Sequence, residues 1–322
     1  MNERNRIVID TLGSDKGPDV ILEGAKIILE EHPDIDLTLV GDEEIIKSKG
    51  LPEDRIKIIN APHTVTNYDN ATVAFYNKEA RYSIFEAIKE CGQDEHAIGI
   101  ISSGNTGAVM VGTLRYLLDE KRTRPALAAI LPNTTGNFTC LVDTGASVDC
   151  GPSQLVEFAH LGRDFMRKLY KIENPRVGLL SNGAEPTKGN KLVKETHKIL
   201  TEDESINFIG NVEGNMVLNG LCDVLVADGF AGNQVLKNTQ GMAVNLITEM
   251  IKFGKKTGNE AITKQIAGYL MQTYDFESLG AGIMLGARKV LLKCRGSSGA
   301  NAIKNAAQIL INLNSNKTFY EK

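Results

Sequence analysis

Short apolar runs that alternate with helical patterns constrain the fold of this chain more than any other feature. Residues 6–10 form a first apolar run, and residues 37–41 and 56–60 form two more. Between the first two runs, apolar side chains from Val20 to Leu29 recur at the spacing of one helical face. Successive strands that are separated by helices pair in parallel through right-handed crossovers. The opening of the chain therefore predicts an α/β fold with a mostly parallel sheet.

The same alternation continues to the end of the chain. Further strands are predicted near residues 97–101, 177–180, 206–209, 224–227 and 289–293, and an antiparallel hairpin at 126–131 and 138–142. A loop followed by one helix is predicted for residues 63–94, and a long helical region for 235–274. No repeat, low-complexity tract or linker marks a boundary. We predict one α/β domain over residues 1–322, with two lobes around a cleft as the alternative, and a protruding helical segment at 235–278.

Composition argues against several classes of function. The net charge is −4, aromatic residues make up 6% of the chain, and tryptophan is absent. A dedicated nucleic-acid binder is disfavoured, because such proteins present basic faces and aromatic stacking platforms. The five cysteines lie far apart without C-x-x-C spacing, which predicts reduced thiols. No secretory signal and no apolar run of about 18 residues is visible, so we expect a cytoplasmic protein.

Polar loops follow most of the predicted strands, and most of them precede a helical pattern. These loops, rich in Gly, Ser, Thr, Asn and Asp, occupy residues 11–18, 102–107, 143–150, 181–190, 228–233 and 294–299. Taken singly, each has the composition of an ordinary turn and helix cap. As a set at one edge of a parallel sheet, where helix N-termini offer free N–H groups, they predict a crevice that binds an anion. The loop at 102–107 matches neither a P-loop nor G-x-G-x-x-G, so anion binding and plain capping stay equally open there.

Lys188 and Glu185 stand out in the loop that ends at Asn190. Lys188 precedes a helical pattern, where a cation opposes the helix dipole unless an acidic partner or a bound anion compensates it. Glu185 can serve as that partner or as a general base, and a simply solvated lysine is the plainer alternative. No G-x-S-x-G motif, histidine arrangement or metal-ligand spacing indicates a nucleophilic triad or a metal site. Cys150 allows either a reactive thiol or a small buried side chain.

Seven sequence strings, taken together, match one family. They read S-G-N-T-G-A (103–108), R-P-A-L-A-A-I-L-P (124–132), D-T-G-A-S-V-D-C (143–150), P-R-V-G-L-L-S-N-G-A-E-P-T-K-G-N (175–190), N-F-I-G-N-V-E-G (207–214), D-G-F-A-G-N (228–233) and K-C-R-G-S-S (293–298). In this order and over nearly the whole chain, they resemble bacterial phosphate acyltransferase (PlsX). That family makes acyl phosphate from acyl-carrier protein and inorganic phosphate for phospholipid synthesis.

Three departures from the family pattern lie in the polar segments. Lys16 stands where the family usually has histidine, and Glu185 lacks the acidic neighbour that usually precedes T-K-G-N. Residues 67–84 are a poor match to a segment that is acidic and contains Lys-Ser-Ser in the family. A divergent paralogue that acts on another carrier or acyl group is therefore an alternative to the family's usual substrate.

The resemblance implies a three-layer α/β/α fold related to phosphotransacetylase and isocitrate dehydrogenase, in a homodimer. It also implies acyl transfer in which a phosphate oxygen attacks a thioester carbonyl. Phosphate is then the nucleophile, so we predict no metal and no cofactor. Two alternatives stay open: a phosphotransacetylase-like enzyme that uses a short-chain acyl-CoA or another carrier, and a non-catalytic binding member of the fold.

The resemblance also implies roles for residues of the polar loops. We predict that Lys188 and the N–H groups of loops 103–107 and 229–233 bind phosphate, that Lys16 protonates the leaving thiol, and that Asp228 orients its neighbours. The predicted catalytic residues are Lys188, Asp15, Lys16, Asn105 and Glu185. The predicted substrate-binding residues are Ser103, Gly104, Thr106, Gly107, Thr187, Gly189, Asn190, Asp228, Gly229, Asn233 and Ser297.

The helical region from residue 235 carries an apolar face with nearby lysines. Met242 and Leu246 belong to this face, and Lys252, Lys255 and Lys256 follow them. Such a face suits peripheral contact with a membrane surface or with the acidic carrier protein, and it equally suits a dimer interface or packing in the core. The predicted partners are acyl-carrier protein, inorganic phosphate and a second copy of the chain, with peripheral membrane contact as a further option and no nucleic acid.

Overall fold

The computed structural model describes residues 4–119, 124–273 and 281–315. These residues form two compact units. Unit 1 contains residues 4–119, 124–127 and 281–315, and unit 2 contains residues 128–273. The single domain predicted over the whole chain stays a prediction.

Most strands alternate with helices along the chain, which is the order that parallel pairing requires. The strands are β1 (Asn5–Asp10), β2 (Ile35–Gly41), β3 (Ile56–Asn60), β4 (Ala97–Ser102), β5 (Ala126–Pro132), β6 (Phe138–Val142), β7 (Arg176–Ser181), β8 (Asn207–Glu213), β9 (Val224–Val226), β10 (Gly282–Leu285) and β11 (Val290–Lys293). The α-helices are α1 (Pro18–Glu31), α2 (Glu43–Lys47), α3 (Ala71–Tyr76), α4 (Ser83–Gln93), α5 (Thr106–Tyr116), α6 (Pro152–Tyr170), α7 (Lys191–Glu202), α8 (Gly229–Thr257), α9 (Glu260–Thr273) and α10 (Ala300–Ser315).

In unit 1, neighbouring strands lie in the order β3-β2-β1-β4-β11-β10. β1 pairs in parallel with β2 and β4, β2 with β3, and β11 with β4, whereas β10 and β11 are antiparallel. Ile7, Val8 and Ile9 of β1 are fully buried although their side chains alternate between the two faces, as expected of a parallel strand covered by helices on both sides. The carboxyl ends of β1, β4 and β11 therefore lie side by side.

In unit 2, neighbouring strands lie in the order β5-β6-β9-β7-β8. β5 and β6 form the antiparallel hairpin predicted from the sequence, and β6, β9, β7 and β8 run parallel to one another. Leu131, Leu141 and Leu225 belong to the buried core of this unit. The predicted α/β class with mostly parallel strands is thus confirmed in both units.

The helical region predicted for residues 235–274 consists of two helices, α8 and α9. α8 begins earlier, at Gly229, and ends at Thr257, where Gly258 is a left-handed C-cap with φ 73°. Glycine adopts this conformation without the steric cost of a Cβ, so it ends helices readily. α9 then begins at Glu260. The end of the predicted segment 235–278 lies outside the described residues.

Two short elements were missed by the sequence patterns. Residues 63–94 contain α3 and α4 rather than one helix, and the side chain of Asn70 caps α3 by accepting the N–H groups of Thr72 and Val73. β10 was also unpredicted. Across the ranges that the structure describes, no helix combines the length and the apolar character needed to cross a bilayer.

Candidate functional site

Three of the predicted polar loops meet in unit 1. They follow β1, β4 and β11, whose carboxyl ends are neighbours. The N–H of Asp15 donates to the carbonyl of Gly296 at 2.9 Å, and the Ser14 hydroxyl donates to the same oxygen at 3.2 Å. Gly13 and Gly104 are in such close contact that a Cβ on Gly13 would overlap the Gly104 backbone. The sheet topology and these contacts bring the three loops together.

A buried carboxylate lies where β1 ends and its loop begins. Asp10 is 1% exposed and accepts hydrogen bonds from the hydroxyls of Ser83 at 2.6 Å and Ser102 at 2.7 Å. The Ser102 hydroxyl in turn accepts the N–H of Gly104 at 2.9 Å. Burial raises the pKa of Asp10, while the two serine hydrogen bonds and the charge of Lys293 act in the opposite direction.

Lys293, the last residue of β11, is partly buried beside the same loops. Its Nζ donates to the carbonyl of Cys294 at 2.6 Å and lies 3.4 Å from the carbonyl of Ser103. Desolvation lowers the pKa of Lys293, and the nearby Cys294, Asp10 and Asp15 oppose this shift. The sequence patterns predicted neither Asp10 nor Lys293 as a site residue. These two side chains lie at strand ends and stabilise the loops that follow β1 and β4.

The β4 loop presents hydrogen-bond donors at the start of α5. Ser103 is 3% exposed, and its hydroxyl has no hydrogen-bond partner among the described residues. Asn105 caps α5 by accepting the N–H of Ala108 at 2.9 Å, and its Nδ2 donates to the carbonyl of Thr66 at 3.2 Å. The first-turn N–H groups of a helix have no partner within the helix, so this loop has the donors that an anion requires.

Asp15, Lys16 and Ser297 lie on the exposed side of the unit 1 loops. The backbone N–H of Lys16 donates to the Ser14 hydroxyl at 3.1 Å, which forms a local turn. Within the described ranges, the Lys16 ammonium group forms no ion pair. Its exposed position leaves it available to a ligand or to solvent.

Four loops of unit 2 leave from the carboxyl ends of the parallel strands β6, β9, β7 and β8. The loop after β7 carries Lys188, Glu185 and Thr187, all exposed. α7 begins only at Lys191, with Asn190 as its N-cap, so the predicted conflict between Lys188 and the helix dipole does not arise. Lys191 occupies the first turn instead, where its Nζ lies 3.8 Å from an oxygen of Glu195.

The Lys188 loop is stiffened by its own backbone contacts. The N–H of Lys188 donates to the carbonyl of Glu185 at 3.0 Å, and the N–H of Gly189 donates to Asn182 Oδ1 at 2.9 Å. Gly189 has φ 96°, and a Cβ there would overlap the side chain of Val193. Glu185 and Lys188 form no ion pair with each other, and the part of the chain with described side chains offers no other partner to the Lys188 ammonium group.

Asn211 of β8 braces this loop from the sheet. It is 8% exposed, and its Nδ2 donates to the carbonyl of Glu185 at 2.9 Å. Its Oδ1 lies 3.0 Å from Nδ1 of His197 on α7, and the His197 ring packs edge-on against Phe208. His197 thus has a structural role, and Asn211 fixes the loop from which Lys188 projects.

The loop after β9 is tied to the loop after β6. Asp228 caps α8 by accepting the N–H of Ala231 at 2.8 Å. Asn233 Nδ2 donates to the carbonyl of Thr144 at 2.9 Å, and the N–H of Gly229 donates to the carbonyl of Ser147 at 2.8 Å. The Asn233 amide nitrogen and the Asp228 carboxylate therefore both have structural partners. The same holds for the side-chain oxygen of Asn190, which caps α7.

Asp143 organises the turn after β6. It is fully buried and accepts the N–H groups of Ser147 at 2.6 Å, Ala146 at 3.2 Å and Gly145 at 3.3 Å. A Cβ on Gly229 would lie 2.6 Å from the Ser147 carbonyl oxygen and 2.8 Å from Asp143 Oδ2. Glycine is therefore required where α8 begins, and the two loops form one packed element.

The comparisons with known proteins agree with one another. A family model described as "Fatty acid synthesis protein" matches residues 5–319. The "Phosphate acyltransferase" of Halothermothrix orenii is 40% identical over 319 residues, which cover 94% of this chain and 93% of the relative. The "Phosphate acyltransferase" of Thermoanaerobacter pseudethanolicus is 37% identical over 309 residues, 94% of this chain and 91% of the relative. The chain belongs to the phosphate acyltransferase family.

Membership of the phosphate acyltransferase family confirms the resemblance drawn from the seven sequence strings. Solved structures agree on the fold. A phosphotransacetylase from Streptococcus pyogenes superposes with a TM-score of 0.62 at 15% identity, covering 98% of this chain and 95% of that one. A branched-chain phosphotransacylase from Enterococcus faecalis V583 gives 0.59 at 14% identity, covering 96% and 98%. The predicted relationship to the phosphotransacetylase fold is therefore confirmed.

Family membership does not test the individual site residues, which stay predictions. Over the described ranges, no group of three or more His, Cys, Asp or Glu side chains could hold a metal ion. All five cysteines are free. Burial raises the pKa of Cys91, Cys222 and Cys294 to about 12, so these thiols are protonated at neutral pH. Cys150 is only partly buried, and its thiol donates to the Ser147 carbonyl.

Proposed function

We propose that this protein transfers a fatty acyl group from acyl-carrier protein to inorganic phosphate and so forms acyl phosphate. The observation that carries the proposal is the Lys188 loop. In a member of the phosphate acyltransferase family, it holds an exposed ammonium group without an acidic partner among the described residues, on a backbone braced by Asn211 and Asn182. A cation held in this way is suited to a multiply charged anion.

The proposed chemistry needs no nucleophile from the protein. A phosphate oxygen attacks the thioester carbonyl carbon, and a tetrahedral oxyanion forms. Its collapse breaks the C–S bond, and the departing thiolate takes up a proton. The protein has to hold phosphate about 3–3.5 Å from the carbonyl carbon and to offer hydrogen-bond donors to the oxyanion.

In unit 2 we assign phosphate binding to Lys188, with Thr187 and the backbone of Gly189 as further donors. Glu185 lies beside Lys188, since a Cβ on Gly183 would approach the side chains of both residues. Glu185 is the candidate general base. Asp228 and Asn190 act through the helix N-termini that they cap, where each accepts one first-turn N–H of its helix. In α8 the Gly229 N–H is engaged by the Ser147 carbonyl, so the Phe230 N–H is the donor that we assign there.

In unit 1 we assign anion binding to the β4 loop. Its donors are the Ser103 hydroxyl and the first-turn N–H groups of Thr106 and Gly107. Lys16 is the candidate proton donor to the leaving thiolate, in the position where the family usually has histidine. An ammonium group can serve this purpose, since its N–H groups can donate a proton.

The wider setting of the proposal comes from the family resemblance. We propose that the product enters phospholipid synthesis and that the enzyme is a cytoplasmic homodimer, with peripheral membrane contact as a further option. Acyl-carrier proteins are acidic, and lysines on α8 such as Lys252, Lys255 and Lys256 offer complementary charge.

A panel of acyl thioesters, each supplied with inorganic phosphate, tests the proposal. Acyl phosphate is trapped as hydroxamate, and the thiol is measured in parallel. We expect both products from acyl-carrier protein that bears a long acyl chain. Product from acetyl-CoA alone would favour the phosphotransacetylase alternative, and binding of the carrier without turnover of any thioester would favour the non-catalytic alternative.

A further inference from the structure

One peptide group of the β4 loop, between Ser103 and Gly104, is held at both of its polar ends. Its carbonyl oxygen lies 3.4 Å from Nζ of Lys293. Its N–H donates to the Ser102 hydroxyl at 2.9 Å, and that hydroxyl donates to Asp10 at 2.7 Å. A cation at the end of β11 and a carboxylate at the end of β1 therefore act on opposite ends of the same peptide group.

The sheet register fixes this arrangement. Ser102 is the register partner of Asp10 on one side and of Lys293 on the other, so the three residues form one row across β1, β4 and β11. The Lys293 ammonium group is anchored by a charge-assisted hydrogen bond to the carbonyl of Cys294 at 2.6 Å. Its separation from the Ser103 carbonyl is longer than an ordinary hydrogen bond, so the attraction there is mainly that of a charge for a dipole.

The orientation of this peptide group affects an anion at the loop. A carbonyl oxygen carries a partial negative charge and repels an anion, whereas N–H and O–H groups attract one. Contact with the Lys293 ammonium group fixes the direction of the Ser103 carbonyl oxygen and offsets its negative charge. The Ser103 hydroxyl belongs to the same residue, is buried and has no hydrogen-bond partner among the described residues. Its position therefore depends on the contact that Lys293 makes.

We propose that Lys293 is a positioning residue of the unit 1 anion site, because it orients the peptide group that carries the Ser103 hydroxyl and leads into α5. The inference rests on the proposed function, since it concerns the β4 loop to which we assign anion binding. Lys293 acts through Ser103 and determines the affinity of the loop for phosphate.

A purely structural role for Lys293 is the competing explanation, and Lys289 provides the comparison. Lys289 directly precedes β11, is also partly buried, and donates from Nζ to the carbonyl of Ala97 at 2.7 Å. Ala97 is the first residue of β4, at the end of the strand opposite to the loop. Each lysine thus supports a backbone carbonyl at one end of β4, but Lys293 contacts the loop and Lys289 contacts the start of the strand.

Binding of inorganic phosphate to the whole chain, followed by calorimetry, measures the effect without turnover. Lys293→Met should weaken phosphate binding about tenfold, the usual effect of losing a contact with a charged group. Lys289→Met should leave phosphate binding unchanged. Lys293→Arg keeps the charge but changes the donor geometry, so it should also weaken binding, and it serves as the test if Lys293→Met does not fold. Thermal unfolding verifies the fold of each variant.

A double-mutant cycle distinguishes positioning from a general loss of stability. If Lys293 acts through the Ser103 hydroxyl, Lys293→Met should weaken phosphate binding less in the Ser103→Ala background than in the unchanged chain, because coupled residues are not additive. Additive losses would overturn the inference, as would equal losses in Lys293→Met and Lys289→Met or unchanged affinity in Lys293→Arg. In the thioester assay, Lys293→Met should raise the KM for phosphate and leave the KM for the thioester unchanged.

The binding and turnover measurements also separate this inference from the proposed function. If no thioester reacts but the phosphate affinities follow the expected pattern, the proposed function fails and the role of Lys293 stands. If thioesters react with phosphate but Lys293→Met binds phosphate as tightly as the unchanged chain, the role of Lys293 fails and the proposed function stands.

Discussion

The carboxylate of Asp10 and the hydroxyl of Ser102 lie 2.7 Å apart at paired positions on the parallel strands β1 and β4. Both residues are buried. The same hydroxyl accepts the N–H of Gly104, so a buried acid fixes the turn that carries Ser103. Burial raises the pKa of Asp10, although the hydrogen bonds from Ser83 and Ser102 work against this shift.

The raised pKa of Asp10 predicts a distinctive pH dependence of stability. The ordinary carboxyl pKa is 3.8, and between this value and the raised folded pKa the folded chain binds more protons than the unfolded chain. The Asp10 contribution to the free energy of unfolding therefore falls as pH rises through this window. Asp10→Asn removes the titrating group. The free energy of unfolding of the unchanged chain minus that of the variant, measured by urea unfolding, should decrease as pH rises above about 3.8.

Asp94 provides a control of opposite sign. Burial opposes its ionisation, but hydrogen bonds from Arg6 and the His96 N–H prevail, and the pKa of Asp94 lies below its usual value of 3.8. Its contribution to stability is present above 3.8 and is lost as pH falls through the folded pKa. The same difference, taken with Asp94→Asn, should therefore increase with pH. If the stability difference changed with pH in the same direction for both variants, the raised pKa of Asp10 would be contradicted.

Much of the fold could be predicted because most of its strands coincide with short apolar runs that alternate with helical patterns. β3 was predicted with the bounds that the structure has, and the hairpin of β5 and β6 was recognised from its turn residues. β10 has only four residues and begins with Gly282, which is too short for a period to be read. The break between α8 and α9 had a signal, since Gly258 follows Lys255 and Lys256 in the last turn, a common helix ending.

The candidate site was predictable only in part, for a physical reason. Loop composition and family strings depend on local sequence, and they predict the loops of Ser103 and Lys188 as parts of the candidate site. The role of Asp10 depends on burial and on Ser83, which is 73 residues away, and neither can be read from the string around it. The role of Lys293, the last residue of β11, likewise depends on burial and on contacts with the distant Ser103. The sequence did contain one signal for Asp10: it is an acidic residue at the end of the apolar strand β1.

The brace between Asn211 and the Lys188 loop predicts a loss of both stability and affinity. Asn211→Ala leaves the Glu185 carbonyl and the His197 ring without their partner, which should cost about 1–3 kcal/mol in the free energy of unfolding. It should also raise the KM for phosphate. Asn207→Ala is the control on the same strand, because Asn207 donates to the carbonyl of Asn174 and not to this loop. Equal KM values in both variants would show that the brace does not position Lys188.

The loop conformation at Gly189 predicts a large penalty for alanine. Gly189→Ala would place a Cβ at φ 96° and against the side chain of Val193. Gly50 also has a positive φ, 61°, but it has open space around its Cβ position. Gly50→Ala should therefore cost only the backbone strain of about 1–2 kcal/mol, and Gly189→Ala should cost more. Urea unfolding measures both values, and equal losses would mean that Val193 moves aside without cost.

Lys188 and Lys191 form a matched pair for the phosphate assignment. Both are exposed lysines near the start of α7, but Lys191 lies in its first turn and faces Glu195, whereas the described residues provide no ion-pair partner for Lys188. If Lys188 binds the phosphate that attacks the thioester, Lys188→Ala should lower kcat/KM for phosphate about 100-fold, the usual effect of removing one group that stabilises transition-state charge. Lys191→Ala should change it no more than about twofold, because a solvated surface charge contributes little. A steady-state assay with varied phosphate measures both, and comparable losses would indicate a general effect of positive charge rather than a specific contact by Lys188.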